Sequence, residues 1–272
     1  MRILIISDME GVSGIVKWEQ VSGGEKLYEE GRRLYTEEIN AAVRGAREAG
    51  ADEVVVVDCH GAGKGWTFNS LMPELLDEGC DWVVQNRWTE YTDLLEQGCD
   101  AALFVAMHAM AGAAQGVMSH TASGTDWYSL KFNGTAVGET GINAALCGTW
   151  GCPVLLVTGD NVACTEAKEL LGNGLTTVQV KQALGRFSAR NYAVKRVRGM
   201  IEEGAKAALR DLKAVSPYDP GKPCEIEVSF RTTDRVEKFK YVPGVEIVDA
   251  RRIVSRGEDW WSAWRQFYFL DE

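Results

Sequence analysis

What this sequence lacks narrows it quickly. No apolar run is longer than a strand, so there is no candidate for a transmembrane helix. No basic stretch leads into a long apolar one near the start, and no signal peptide is expected. Positive charge is in deficit: 29 Lys and Arg stand against 39 Asp and Glu, for a formal net charge of −10. A phosphate backbone needs a concentrated basic face, so no nucleic-acid partner is expected. The acidic balance itself reads as a solvated surface. The seven cysteines include no Cys-x-x-Cys pair, and most lie in or beside apolar segments. That argues against a disulfide framework or a thiolate zinc site, and for reduced, buried thiols in a cytoplasm. Proline is scarce as well. Half of the six fall in Ser216–Pro223, the only convincing linker. There is no internal repeat and no low-complexity tract.

What is present has the composition of an ordinary globular protein, 46% hydrophobic and 25% charged over 272 residues. That length suits one large α/β domain, or a main domain with a smaller appendage. Strand-like and helix-like segments alternate, which predicts a mainly parallel sheet flanked by helices. Buried strands are expected at Arg2–Ser7, Glu53–Asp58, Ala101–Met107 and Pro153–Thr158, with a brief one near Asp81–Val84. Helical spacing marks Tyr28–Gly50, Leu71–Glu78, Glu90–Gln97, Glu139–Thr149 and Ser188–Leu212. Asn133-Gly134 inside Tyr128–Val137 signals an antiparallel hairpin excursion. Beyond the linker a smaller C-terminal α+β portion is expected: strands at Glu225–Phe230 and Val245–Val248, and helices at Thr233–Lys240 and Trp260–Leu270. The expected division is a metal-binding α/β catalytic domain over 1–215 and a C-terminal extension over 224–272, whether separate or part of the same domain.

Histidine is the rarest informative residue, and all three copies fall at or just after strand ends. Arg2–Ser7 runs into Asp8-Met9-Glu10-Gly11, Glu53–Asp58 into Cys59-His60-Gly61, and Ala101–Met107 into His108. His120 comes later, in the loop Gly116-Val117-Met118-Ser119-His120, and Glu139 opens a helix. Ligands gather outside the carboxyl ends of strands in open α/β sheets. Carboxylate oxygens with imidazole nitrogens suit zinc, and equally manganese or cobalt. The candidates outnumber the ligands one ion needs, and a carboxylate can bridge two metals roughly 3.5–4 Å apart. Each residue also has a plain structural reading: an ordinary loop acid, a hydrogen-bonded histidine, or favourable charge in the first turn for Glu139. Residue types alone leave both readings open; their joint placement raises the metal reading to a par with the structural one. Asp160, Lys181 and Arg186 form a second tier, readable as ligand-orienting groups, surface charges or subunit contacts. Trp260-Trp261-x-x-Trp264 is spaced like a packed helix face.

These motifs resemble the D-aminopeptidase family of zinc peptidases. The likeness rests on Ser7-Asp8-Met9-Glu10-Gly11, Asp58-Cys59-His60, His108-Ala109, Gly116–His120, and Val137-Gly138-Glu139-x-Gly141-x-Asn143-Ala144. It is supported by Thr36-Glu37-Glu38-Ile39-Asn40-Ala41, Gly159-Asp160 and Val180-Lys181…Arg186. It spans roughly the first 190 residues and weakens beyond the linker. It implies two zinc ions per subunit, bridged by Asp8, with Glu10 and His60 completing one site and His108 and Glu139 the other. His120 would be the catalytic side chain, as base or nucleophile. It implies cleavage of the N-terminal amide bond of short peptides, D-amino-acid-containing ones first, by a ring-like homo-oligomer enclosing a chamber, with a decamer as one candidate. Two features depart from the family pattern: Asn161 stands where a second acid is expected, and the loop Thr121–Lys131 is individual. The rivals are another metal-dependent amidohydrolase or phosphoesterase, and a non-catalytic metal-stabilised binding protein. Lys17 and Lys64, the nearest cations, adjoin no proposed ligand, which disfavours the phosphoesterase. A histidine left over as a non-ligand disfavours the inert protein.

Overall fold

The protein is described from a computed structural model, which covers residues 1–63, 65–85 and 91–268. In chain order the elements are β1 (Arg2–Ser7), α1 (Tyr28–Glu48), β2 (Glu53–Asp58), β3 (Asp81–Val83), α2 (Asp93–Glu96), β4 (Ala101–Met107), β5 (Trp127–Phe132), β6 (Thr135–Ala136), α3 (Glu139–Thr149) and β7 (Val154–Asp160). They continue with α4 (Asn161–Leu171), β8 (Thr176–Gly185), β9 (Ser188–Asn191), α5 (Val194–Ala208), β10 (Cys224–Phe230), α6 (Asp234–Glu237), β11 (Val245–Asp249), β12 (Arg252–Gly257) and α7 (Trp260–Arg265). No helix among the described residues is long and apolar enough to cross a membrane.

The main sheet runs β3-β2-β1-β4-β7-β8-β9 and is parallel except for the β8–β9 hairpin at one edge. Its central strands are buried on both faces, which is why β1, β2, β4 and β7 read as continuous apolar runs rather than alternating ones. The chain moves outward from β1 to β2 and β3, then returns to place β4 on the other side of β1. That reversal makes the carboxyl ends of β1 and β4 a topological switch point, where a crevice opens by construction. Residue 8 adjoins the end of β1, residue 60 that of β2, and residue 108 that of β4, so the motifs converge there.

Two local devices sharpen the convergence. The β4 backbone turns irregular at its end, with a register shift against β7 between Phe104 and Met107 and Ala106 at φ 64°. A left-handed alanine is strained, and the irregularity re-aims the strand end and with it His108. Gly11 lies on that same stretch: its N–H donates to Ala106 O at 2.8 Å, and a Cβ would overlap the Ala106 backbone.

A second, antiparallel sheet runs β11-β12-β10-β5-β6. The Asn133-Gly134 hairpin is therefore paired with the C-terminal strands, Phe132 opposite Ile226 and Leu130 opposite Val228. The architecture is the expected α/β one, with its C-terminal α+β portion. Several elements differ from expectation. The helix expected over Ser188–Leu212 begins only at Val194, because Ser188–Asn191 pairs with β8 instead. Leu71–Glu78 holds only a 3-10 turn at Pro73–Leu75, and Thr233–Lys240 only one helical turn, α6. The elements α4, β8 and β12 were not anticipated. Glu90, Lys64 and Leu270, which enter three of the expectations above, lie outside the described residues.

Candidate metal centre

The five expected ligands and His120 meet in one cluster. Asp8 Oδ1 lies 3.0 Å from His60 Nδ1, and Asp8 Oδ2 lies 3.2 Å from His108 Nε2. His60 Nδ1 is also 3.0 Å from Glu10 Oε2, and His108 Nε2 is 3.2 Å from Glu139 Oε1. His120 Nε2 stands 3.7 Å from that same Glu139 oxygen. The rings of His108 and His120 stack, with centroids 4.0 Å apart and 12° between planes.

The protonation of the histidines is set by their other nitrogens. Each of these faces a backbone carbonyl, which can only accept, so each carries a proton: His60 Nε2–H donates to Val21 O at 2.7 Å, His108 Nδ1–H to Ala109 O at 2.9 Å, and His120 Nδ1–H to Met118 O at 2.9 Å. In the neutral ring the lone pair then points into the carboxylates. Outer hydrogen bonds of this kind fix metal-binding imidazoles. Glu10 Oε2 and His108 Nε2 are buried and make no hydrogen bond. Buried polar atoms are rarely left so, and a cation between lone pairs and carboxylates satisfies both. The donor atoms of Asp8, Glu10 and His108 lie within 4.8 Å of one another, as do those of His108, His120 and Glu139. The residues fit a metal.

The electrostatics agree. Burial alone would keep Asp8 neutral, yet the imidazoles of His108 and His60 against its two oxygens hold its pKa well below the usual carboxylate range. Burial likewise opposes charge on His60 and His108, but Glu10, Glu139 and Asp8 push both pKa values well up. Glu139 is lowered against its burial by His108. The cluster is a place where positive charge is strongly favoured.

A cavity of about 510 Å³ opens onto it, walled in part by Trp18, Phe68, Trp264 and Tyr268. Beyond the donor cluster its wall mixes these aromatic rings with polar side chains such as Ser22, Thr125 and Asn143, a blend common in small-molecule sites.

The family profile described as D-aminopeptidase matches residues 1–269. The chain belongs to the D-aminopeptidase family. The D-aminopeptidase of Bacillus subtilis (strain 168) is 32% identical over 249 residues, covering 91% of this chain and 88% of that protein. The solved structure of the Zn-dependent D-aminopeptidase DppA from Bacillus subtilis, a self-compartmentalizing protease, superposes with a TM-score of 0.90 at 30% identity, over 99% of this chain and 96% of its own. The likeness thus extends past the linker, where the motifs alone were weak. Membership makes the protein a metallo-aminopeptidase.

The second-tier residues turn out to hold the loops of the centre. Lys181 is fully buried, and its Nζ donates to Glu10 O, Val12 O and Ile15 O at 2.6, 2.8 and 2.8 Å, using all three protons on the ligand loop after β1. Both Asp160 oxygens are taken by backbone donors: Oδ1 caps α4 through Val162 and Ala163, and Oδ2 accepts Val117 N–H at 2.7 Å, at the root of the His120 loop. Asp160 is therefore an anchor for that loop and is not free to hold a substrate amine. Three supports were missed in the sequence. Asp58 accepts the His60 N–H, Tyr35 donates to Asp58, and Glu38 accepts the Ser13 N–H. Asp58 and Glu38 each carried a signal, as members of family motifs without a role, and Tyr35 carried none. Trp264 does pack in the core, at 2% exposure, and also lines the cavity.

Proposed function

We propose that the protein is a zinc-dependent aminopeptidase that removes the N-terminal residue from short peptides of D-amino acids at a two-metal site. One observation carries the metal count: the two oxygens of Asp8 face two different histidines, each paired with its own glutamate. Asp8 would bridge, Glu10 and His60 would hold one ion, and His108 and Glu139 the other; manganese or cobalt would suit the same donors. Bound zinc supplies Lewis acidity towards the scissile carbonyl and a water. His120 is the base: its Nδ1 is committed to Met118 O, so Nε2 takes a proton and returns it to the leaving amine. Stacking on His108 and the edge of Trp18, 5.5 Å away between centroids, keep that ring in place.

A ring-like homo-oligomer, decameric or otherwise, belongs to this reading because its solved relative is self-compartmentalizing. An enclosed chamber would admit only short chains. A cytoplasmic location is supported by seven cysteines with no disulfide between them.

The deciding experiment measures alanine released from D-Ala-D-Ala and from L-Ala-L-Ala, with added zinc and after chelation. Chelator-sensitive cleavage of the D-peptide alone is expected. Cleavage of the L-peptide would remove the stereochemical part. Cleavage of neither, by protein carrying zinc, would overturn the activity.

A further inference from the structure

The cavity wall is electrically lopsided. Its carboxylates, Asp8, Glu10 and Glu139, all belong to the donor cluster, and its one Lys or Arg among the described lining residues is Arg186. Arg186 sits exposed in the turn between β8 and β9. Its guanidinium is 6.0 Å from the Trp18 ring centroid and 5.3 Å from that of Phe187. Among the described residues it forms no ion pair, and these ring contacts are its only side-chain interactions. Its backbone is not loose: Arg186 O accepts the Met118 N–H at 2.7 Å, two residues before His120. A cation steadied by two aromatic faces, with its hydrogen-bonding fork unfilled, suits an incoming carboxylate.

Resting on the aminopeptidase reading, we propose that Arg186 anchors the free C-terminal carboxylate of the substrate and so selects peptides of two to about four residues. The span decides the length. Trp18 limits the gap: its ring lies 6.0 Å from the guanidinium and 5.5 Å from the His120 ring, so those two groups can be no farther apart than the two distances together. An extended chain advances about 3.3–3.6 Å per residue, so the carboxylate lies no more than about three residues beyond the cleaved bond. The zwitterion of a short peptide matches the cavity, its carboxylate on the arginine fork and its reacting end at the metal centre. A bidentate arginine–carboxylate contact supplies both affinity and register. Longer peptides and C-terminally capped ones lose it.

The test compares D-Ala-D-Ala with D-Ala-D-Ala amide on wild-type protein and on R186A and R186K. For the free peptide, R186A should raise KM about 10- to 100-fold, the scale of a charged hydrogen-bonded contact, with kcat within a few-fold. Capping should cost wild-type protein a similar factor and cost R186A nothing further, because the two changes remove one interaction. R186K, which keeps the charge but loses the fork, should fall between. Calorimetric binding of both ligands to zinc-loaded H120A protein repeats the comparison without turnover. Binding that depends on Arg186 and on the free carboxylate, with zinc-loaded wild-type protein that cleaves neither peptide, would overturn the aminopeptidase reading and keep the anchor. A KM and a binding constant indifferent to both the cap and Arg186 would overturn the anchor, whatever R186A does to subunit assembly.

Discussion

The two sides of the donor cluster are built differently. On one side, the Glu10 and His60 side chains are 2% and 6% exposed; on the other, His108 is fully buried but Glu139 and His120 are 16% and 12% exposed. The closed side is braced from below. Lys181 ties three carbonyls of its loop, Glu38 holds Ser13, and Asp58 holds the His60 backbone. The open side hangs on fewer supports: Asp160 on Val117, Arg186 O on Met118, and Glu139 itself accepting the Ala122 N–H. One side is built to hold and the other to meet substrate. Asp8 belongs to both, since each of its oxygens faces a different side.

Removing the shared residue should erase the distinction. Asp8→Ala should lose both ions and all measurable activity, a drop beyond the ~10²–10⁴-fold expected of a single acid–base group. Elemental analysis of the purified variant decides it: two retained ions per subunit would refute the bridge. Next in size is His120→Ala, which sharpens the comparison by touching the open side alone. Turnover should fall about 10²–10⁴-fold with zinc content unchanged. Zinc lost along with activity would make His120 a ligand.

Lys181→Met probes the closed side through its brace. The substitution keeps much of the side-chain volume and leaves three buried carbonyls without a donor, each costing about 1–3 kcal/mol where water cannot replace it. Supports of metal ligands typically contribute 10–100-fold in affinity, so competition with a zinc-binding dye should show about that weakening. A lower melting temperature with unaltered zinc affinity would reduce Lys181 to a stabilising residue.

The contrast also explains what could be read in advance. β1, β2, β4 and α3 were legible because buried parallel strands are unbroken apolar runs and the ligands stand directly at their ends or at the head of a helix. The braces were not. A lysine within Thr176–Gly185 looks like any solvated charge, and only the folded loop of residues 10–15 surrounds it with carbonyls. Likewise Ser188–Asn191 is short and mostly exposed, so its pairing with β8 defeats a helical periodicity that continues into α5. The union of the Asn133-Gly134 hairpin with β10 joins residues more than ninety positions apart, which no local pattern encodes.

Glu38→Gln makes the finest cut, because it should alter the brace's pH response and leave zinc affinity alone. Glu38 is buried on α1; its Oε1 accepts the Ser13 N–H at 2.9 Å, and its Oε2 has no hydrogen-bond partner. Burial pushes its pKa up to about 8 from 4.5, against the pull of the Ser13 N–H, Lys181 and Arg198. Between those two values the folded state keeps a proton that the unfolded state has released. Stability from this group is therefore full below the unfolded pKa, declines as pH rises through the window, and levels off above about 8. Glutamine preserves the acceptor for Ser13 and does not titrate. The variant should match wild-type stability at pH 4, then gain on it by about 1–3 kcal/mol towards pH 8. Denaturant melts at both pH values measure the gap. A variant that is instead the less stable at pH 8 would mean that Glu38 is ionised in the fold and held by Lys181 and Arg198. The closed side would then be braced by charge rather than by a neutral hydrogen-bonded carboxyl.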